Sequence, residues 1–162
     1  TILGFLAGLI ERTLGGLRSA GGVTTVTPEM RELAGKVAAL VRPQLADLGA
    51  SHLQQLTLMR SFALGYVATL ADEAVSGSKA VPQSRGARIV VTLLAISSLD
   101  DPRRAGEGVD HLMSELEGLE EARDYGYGQG GAVALQDVPV INSGQTARGL
   151  FTELKGMRIA PV

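Results

Sequence analysis

The chain has 162 residues, enough for one domain with a single core, and it contains no cysteine. The lack of cysteine excludes disulfide scaffolds, thiolate nucleophiles and zinc-cysteine sites, and a net charge of −2 argues against nucleic-acid binding through bulk electrostatics. With 23 Leu and 20 Ala the composition favours helices, while 21 Gly predict frequent breaks. We therefore expect an all-α fold: an irregular bundle of about five helices followed by a largely extended C-terminal arm.

Apolar residues at helical spacing predict the first two helices. Residues 2–18 follow this spacing, but four glycines weaken the helix, so it needs a partner surface. The second helix has a strong start signal, because Thr27 can cap it and Pro28 suits the first helical position. Pro43 is expected to kink or restart this helix.

The strongest helical pattern covers residues 52–75, and Leu56 and Leu70 are expected on its buried side. A polar loop follows over 76–86. Residues 87–99 are nearly all apolar or small, and both a buried helix and a buried strand fit them. Their length and their helical neighbours favour a central helix.

The last helix of the bundle is expected to begin at Asp101-Pro102 and to end near Arg123. Residues 100–124 hold nine carboxylates and only three arginines. A run of this kind is usually a solvated helix face. Alternatively, it complements a basic surface on a neighbouring subunit and fixes the orientation of the two chains.

The character of the sequence changes after residue 123. Residues 124–131 are predicted to be a glycine-rich hinge, 132–142 to be extended, and the remainder to hold one short helix capped by Ser143 or Thr146. The chain is therefore divided into a helical body, 1–123, and a glycine-hinged C-terminal arm, 124–162, which should be dispensable for folding of the body. The arm residues expected against a neighbouring chain, or back on the same body, are Val138, Val140, Ile141, Leu150, Phe151 and Leu154.

No motif in the sequence points to catalysis or to a bound cofactor. His52 and His111 lie on different predicted helices, and neither has a second ligand at helical spacing, so we expect no metal. The glycines after residue 124 follow a helix and lack the Lys-Ser/Thr ending of a phosphate loop. We therefore expect no cofactor and no enzymatic activity.

The leading hypothesis is a non-enzymatic structural or assembly subunit of a larger multi-chain complex, such as a virus-like particle or a secretion device, associating through its termini. Its partners would be copies of itself or neighbouring protein subunits, in the cytoplasm or in a particle assembled there. One alternative is a helix-turn-helix-like DNA-binding or regulatory protein, with residues 51–60 as recognition helix. Another is a small enzyme using acidic residues near His111. Membrane contact would be limited to residues 1–17.

Overall fold

The computed structural model describes residues 26–49, 60–99, 117–120 and 124–159. These residues are mostly helical and include no strand, so the predicted helical class is confirmed. In chain order the described helices are α1 (Pro28–Asp47), α2 (Arg60–Ser76), α3 (Arg85–Leu99), α4 (Tyr125–Asp137), a 3₁₀ turn (Val138–Val140) and α5 (Gly149–Ile159). Residues 117–120 are also helical. The predicted helix over 2–18, Leu56, and the start of the bundle's last predicted helix lie outside the described residues.

Helix α1 begins where the sequence predicts. The Thr27 side chain accepts a hydrogen bond from the backbone N–H of Met30 at 3.3 Å, and Pro28 fills the first turn. The helix continues through Pro43 to Asp47 without a restart, and a kink at Pro43, the other predicted outcome, stays a prediction. Gly49 then takes a φ of 76°, a left-handed conformation that suits glycine after a helix end.

Helices α2 and α3 form the centre of the molecule. Residues 62–68 and 90–97 are buried without interruption, which is typical of helices surrounded on all sides. The segment 87–99, which fits either a helix or a strand by its pattern, is helical, and Ser84 caps it by accepting from the N–H of Ala87 at 3.1 Å. Leu70 is fully buried, as the sequence predicts. Helix α1 packs against both central helices.

Helix α4 crosses α2 at very short range, and glycine on each helix permits this approach. A Cβ at Gly65 of α2 would overlap the carbonyl of Tyr127, and a Cβ at Gly130 of α4 would overlap the carbonyl of Phe62. Because glycine has no Cβ, the two backbones can touch where other residues would hold them apart. This contact fixes α4 on the body of the chain.

The same helix corrects the sequence-based prediction for residues 124–137. Neither the glycine hinge over 124–131 nor the extended start of 132–142 is present, since Tyr125–Asp137 is one α-helix. The Asp124 side chain caps it by accepting from the N–H of Tyr127 at 3.0 Å. The glycines of this segment predicted a flexible chain, whereas in the folded protein Gly126 and Gly130 allow α4 to pack closely against α2.

Helix α5 packs on α4 and α1. It is the short C-terminal helix that the sequence predicts, although it begins at Gly149 rather than directly after Ser143 or Thr146. Within the described ranges, no helix is both long enough and apolar enough to cross a bilayer.

Candidate functional site: an uncharged helix face and a charged cleft

The exposed side of α4 carries no charged side chain. We call it the outer face, and it consists of Tyr125, Gly128, Gln129, Ala132, Leu135 and Gln136. At 3.6 residues per turn these positions fall on one side of the helix, over roughly 16 Å of its axis. Tyr125 is 79% exposed and Leu135 is 55% exposed, which makes them the two most exposed large hydrophobic residues in the described part of the chain.

This composition is unusual for a helix surface in contact with water. Exposed helix positions are mostly charged or strongly polar, while the buried centre of a protein interface is depleted of charge and enriched in Tyr and other large side chains. Small residues lie between the two large ones on the outer face, namely Gly128 and Ala132. A second helix could therefore approach the middle of this face closely.

The inner side of the same region is held by a buried polar network. The Tyr66 hydroxyl donates to the Asp137 carboxylate at 2.6 Å and accepts from the Gln44 amide at 3.1 Å. The same carboxylate accepts from the N–H of Gly149 at 3.0 Å, and the Gln44 side-chain oxygen accepts from the N–H of Phe151 at 2.9 Å. Four helices therefore meet in one network, and two amides of the first turn of α5 are satisfied by it.

Burial and the hydrogen bond to Asp137 raise the pKa of Tyr66 well above its ordinary value. The phenol therefore remains a hydrogen-bond donor at any physiological pH. Gln44 and Tyr66 are both fully buried. Removing any one member of the network would therefore leave the polar group of its partner unsatisfied in the core. The network is a structural anchor for α5, and its polar atoms face one another rather than an open site.

A charged cleft of about 90 Å³ opens between α2, α3, α4 and residues 117–120. The charged residues of its described lining are Asp72, Arg85, Arg88 and Glu120, and Tyr127 adds a phenol. At the rim, the Arg85 guanidinium lies 3.6 Å from the Glu120 carboxylate, with both side chains more than half exposed. The buried Nε of Arg88 has no hydrogen-bond partner among the described residues.

Both inner titratable groups of the cleft are shifted toward their neutral forms. Burial raises the pKa of Asp72 to about 6; Glu120 and Glu73 add to the rise, and the guanidinium of Arg88 opposes it. Burial, together with the nearby carboxylates of Asp72 and Glu120, raises the pKa of Tyr127 to about 12. The cleft therefore presents a protonated phenol and a carboxyl group that titrates near pH 6.

The structure places most of the predicted interaction residues on the body of their own chain. Leu150 and Leu154 are fully buried, and Val138, Ile141 and Phe151 are partly buried against the core. Val140 is also partly buried. The role of the arm in association, and the division of the chain after residue 123, stay predictions.

Several other sequence predictions lie outside the described residues. These are the two histidines, the recognition helix over 51–60 except for its last residue, the apolar segment 1–17 and most of the acidic stretch 100–124. Three acids of that stretch are placed: Glu117 is partly buried, Glu120 lines the charged cleft and Asp124 caps α4. Among the described residues, no group of three or more His, Asp or Glu side chains could hold a metal ion.

Sequence reasoning missed both features of this site. One signal for the outer face was available: Gly126 and Gly130 are four residues apart and so share one side of a helix, and Asp124 precedes them at a capping position. The cleft had no comparable signal, since its residues come from four separate segments and form no motif. A comparison of the chain with family models, curated proteins and solved structures finds no match.

Proposed function

We propose that this protein is a non-enzymatic assembly subunit that binds a second copy of itself through the outer face of α4. The observation that carries the proposal is the absence of charge on this face, together with the exposure of Tyr125 and Leu135. Burying such a surface removes apolar area from water and leaves no charged group buried without a partner.

A second copy is the partner that suits an uncharged surface. In a two-fold symmetric contact, each residue meets the same patch on its partner, and a charge close to the axis lies near its own copy. Like charges brought together in this way cost free energy. The outer face avoids this cost because it contains neither acids nor bases. Its length of about three turns suits a weak interface, near the lower end of the areas that specific complexes bury.

The test is the native mass of the full chain as a function of concentration, measured by sedimentation equilibrium. We expect reversible dimers in the micromolar range and their loss in Leu135→Glu, because a buried unpaired carboxylate opposes association. Ala39→Glu is the matched control: it adds the same charge at an exposed position of α1, another helix with a free face, and should dimerise like the wild type. A wild-type chain that stays monomeric throughout would refute self-association, and equal dimerisation of both variants would refute the outer face.

A further inference from the structure

A groove of about 260 Å³ lies between α1, the end of α2 and the 3₁₀ turn with the two residues after it. We call it the α1 groove, and the apolar residues of its described lining are Leu33, Ala74, Val138 and Ile141. The Lys36 ammonium of α1 donates to the Asn142 side-chain oxygen at 3.3 Å, which ties one wall of the groove to the other. The shape of the groove is therefore fixed by contacts between its own walls.

The apolar lining of the α1 groove keeps part of its surface accessible. Leu33, Val138 and Ile141 pack against the core but are only partly buried. The charged side chains of the described lining are one cation, Lys36, and one carboxylate, Glu73, so their charges do not favour an anion or a cation. Covering an apolar concave surface with another apolar group lowers the free energy. The groove therefore suits an apolar occupant.

The same chain contains an apolar segment whose sequence requires a partner surface. Residues 2–18 lie outside the described part of the chain, and four glycines weaken the helix that their pattern predicts. The large apolar residues that recur there every three or four positions are Leu3, Leu6, Ile10, Leu14 and Leu17. An apolar stripe of this kind is stabilised mainly by packing against another element.

The connection to α1 is long enough for this segment to reach the groove of its own chain. Residues 19–25 separate the segment from Val26, and seven extended residues span at most about 25 Å. Leu33 lies seven residues after Val26, roughly 10 Å along the axis of α1. So short a tether gives an effective concentration on the order of millimolar, which favours the segment of the same chain over that of another copy.

We propose that the α1 groove is the docking site of the N-terminal segment of its own chain, with Ile10 and Leu14 against Leu33 and Ile141. Side chains four residues apart on a helix are neighbours on one face. A cavity of about 150 Å³ accepts one benzene-sized group, so the groove has room for roughly two aliphatic side chains. This docking is independent of self-association through the outer face of α4.

Because the chain has no cysteine, pairs of introduced thiols can test this contact in the full-length protein. The groove pair is Ile10→Cys with Leu33→Cys. The matched control pair is Ile10→Cys with Gly35→Cys, which places the second thiol two residues further along α1, on its opposite side, with nothing within 4 Å of the added Cβ. With a short bifunctional maleimide, we expect cross-linking within one chain to be at least tenfold faster in the groove pair. Equal rates would overturn the proposal.

A second groove pair keeps the test valid if Leu33→Cys disturbs the partly buried wall. Asn142 is exposed on the other wall, so Ile10→Cys with Asn142→Cys should also cross-link at least tenfold faster than the control pair. Circular dichroism verifies that each variant is folded. Rates in both groove pairs that equal the control rate would refute docking in the α1 groove.

The order of the reaction distinguishes the chain's own segment from that of a second copy. Cross-linking within one chain proceeds at a rate constant that does not change with protein concentration. Covalent dimers as the main product, formed faster as the concentration rises, would assign the groove to another copy and refute the proposal. Adding Leu14→Asn to the groove pair should slow cross-linking at least fivefold, because it removes one apolar anchor. An unchanged rate would contradict apolar docking.

Discussion

Helices α1 and α4 both bury one side and expose the other, but their exposed sides differ in chemistry. The exposed positions of α1 include Glu29, Arg31, Glu32, Arg42 and Asp47, whereas the outer face of α4 has no charged residue. Charged side chains remain hydrated at a surface and suit a helix that stays in contact with water. The two helices are therefore distinguished by the chemistry of their exposed residues, since both bury one side.

The largest expected effect concerns the region that carries the outer face. The sequence alone predicts that residues 1–123 fold without the arm, but the contacts of α4 and α5 predict the opposite. A chain truncated after Arg123 loses the buried Leu150 and Leu154, each worth about 2–3 kcal/mol, and uncovers the α2 surface beside Gly65. Because whole domains are stable by only about 5–15 kcal/mol, we expect no cooperative unfolding transition in urea. A truncated chain that unfolds cooperatively would restore the division into body and arm.

The next effect distinguishes the inner glycines of α4 from exposed glycines. Gly130→Ala should destabilise the protein by roughly 1–3 kcal/mol or more, because the new Cβ overlaps the Phe62 carbonyl and forces α4 away from α2. Gly35→Ala on α1 is the control, with nothing within 4 Å of the added Cβ. It should stabilise the protein by up to about 1 kcal/mol through helix propensity. Urea denaturation measures both, and a stabilising Gly130→Ala would show that the helices do not cross this closely.

These glycines mark the limit of what the sequence could predict. The start of α1 was predictable because its signal is local: Thr27 and Pro28 act on the first turn of their own helix. Helix α4 was not predictable in the same way, because Gly126 and Gly130 disfavour a helix locally. What favours glycine at these positions is the close contact with Ser61 and Phe62 of α2, which are distant in the sequence. The cleft is harder still, since Asp72, Arg88 and Tyr127 come together only when three helices pack.

Removing one hydroxyl from the polar network should have a smaller effect. Tyr66→Phe leaves the Gln44 amide and the Asp137 carboxylate without the hydroxyl, which should cost about 1–2 kcal/mol. Tyr125→Phe on the outer face removes the hydroxyl of a residue that is 79% exposed. Within the described part of the chain, this hydroxyl accepts one hydrogen bond, from the exposed Gln129 side chain. It should change the free energy of unfolding by less than about 0.5 kcal/mol. Equal losses in thermal or urea unfolding would mean that the network contributes nothing beyond ordinary surface polarity.

The last expected effect is the response of stability to pH. The pKa of Asp72 is raised from 3.8 to about 6 on folding, so between these values the folded chain binds more protons than the unfolded chain. The contribution of this group to stability is therefore fully present below pH 3.8 and is lost as pH rises through 6. Asp72→Asn should remove this decline. A decline of unchanged steepness in the variant, measured by urea unfolding across this range, would assign it to another group.

The most direct test of the outer face uses the lack of cysteine in the chain. Ala132→Cys places the only thiol of the protein near the middle of the face, between Tyr125 and Leu135, where a two-fold axis would bring two copies together. Ala39→Cys places a single thiol on the charged, exposed side of α1. With a thiol-specific cross-linker of short reach, we predict rapid formation of covalent dimers from Ala132→Cys and little from Ala39→Cys at the same concentration. Equal rates of dimer formation in the two variants would contradict assembly through the outer face of α4.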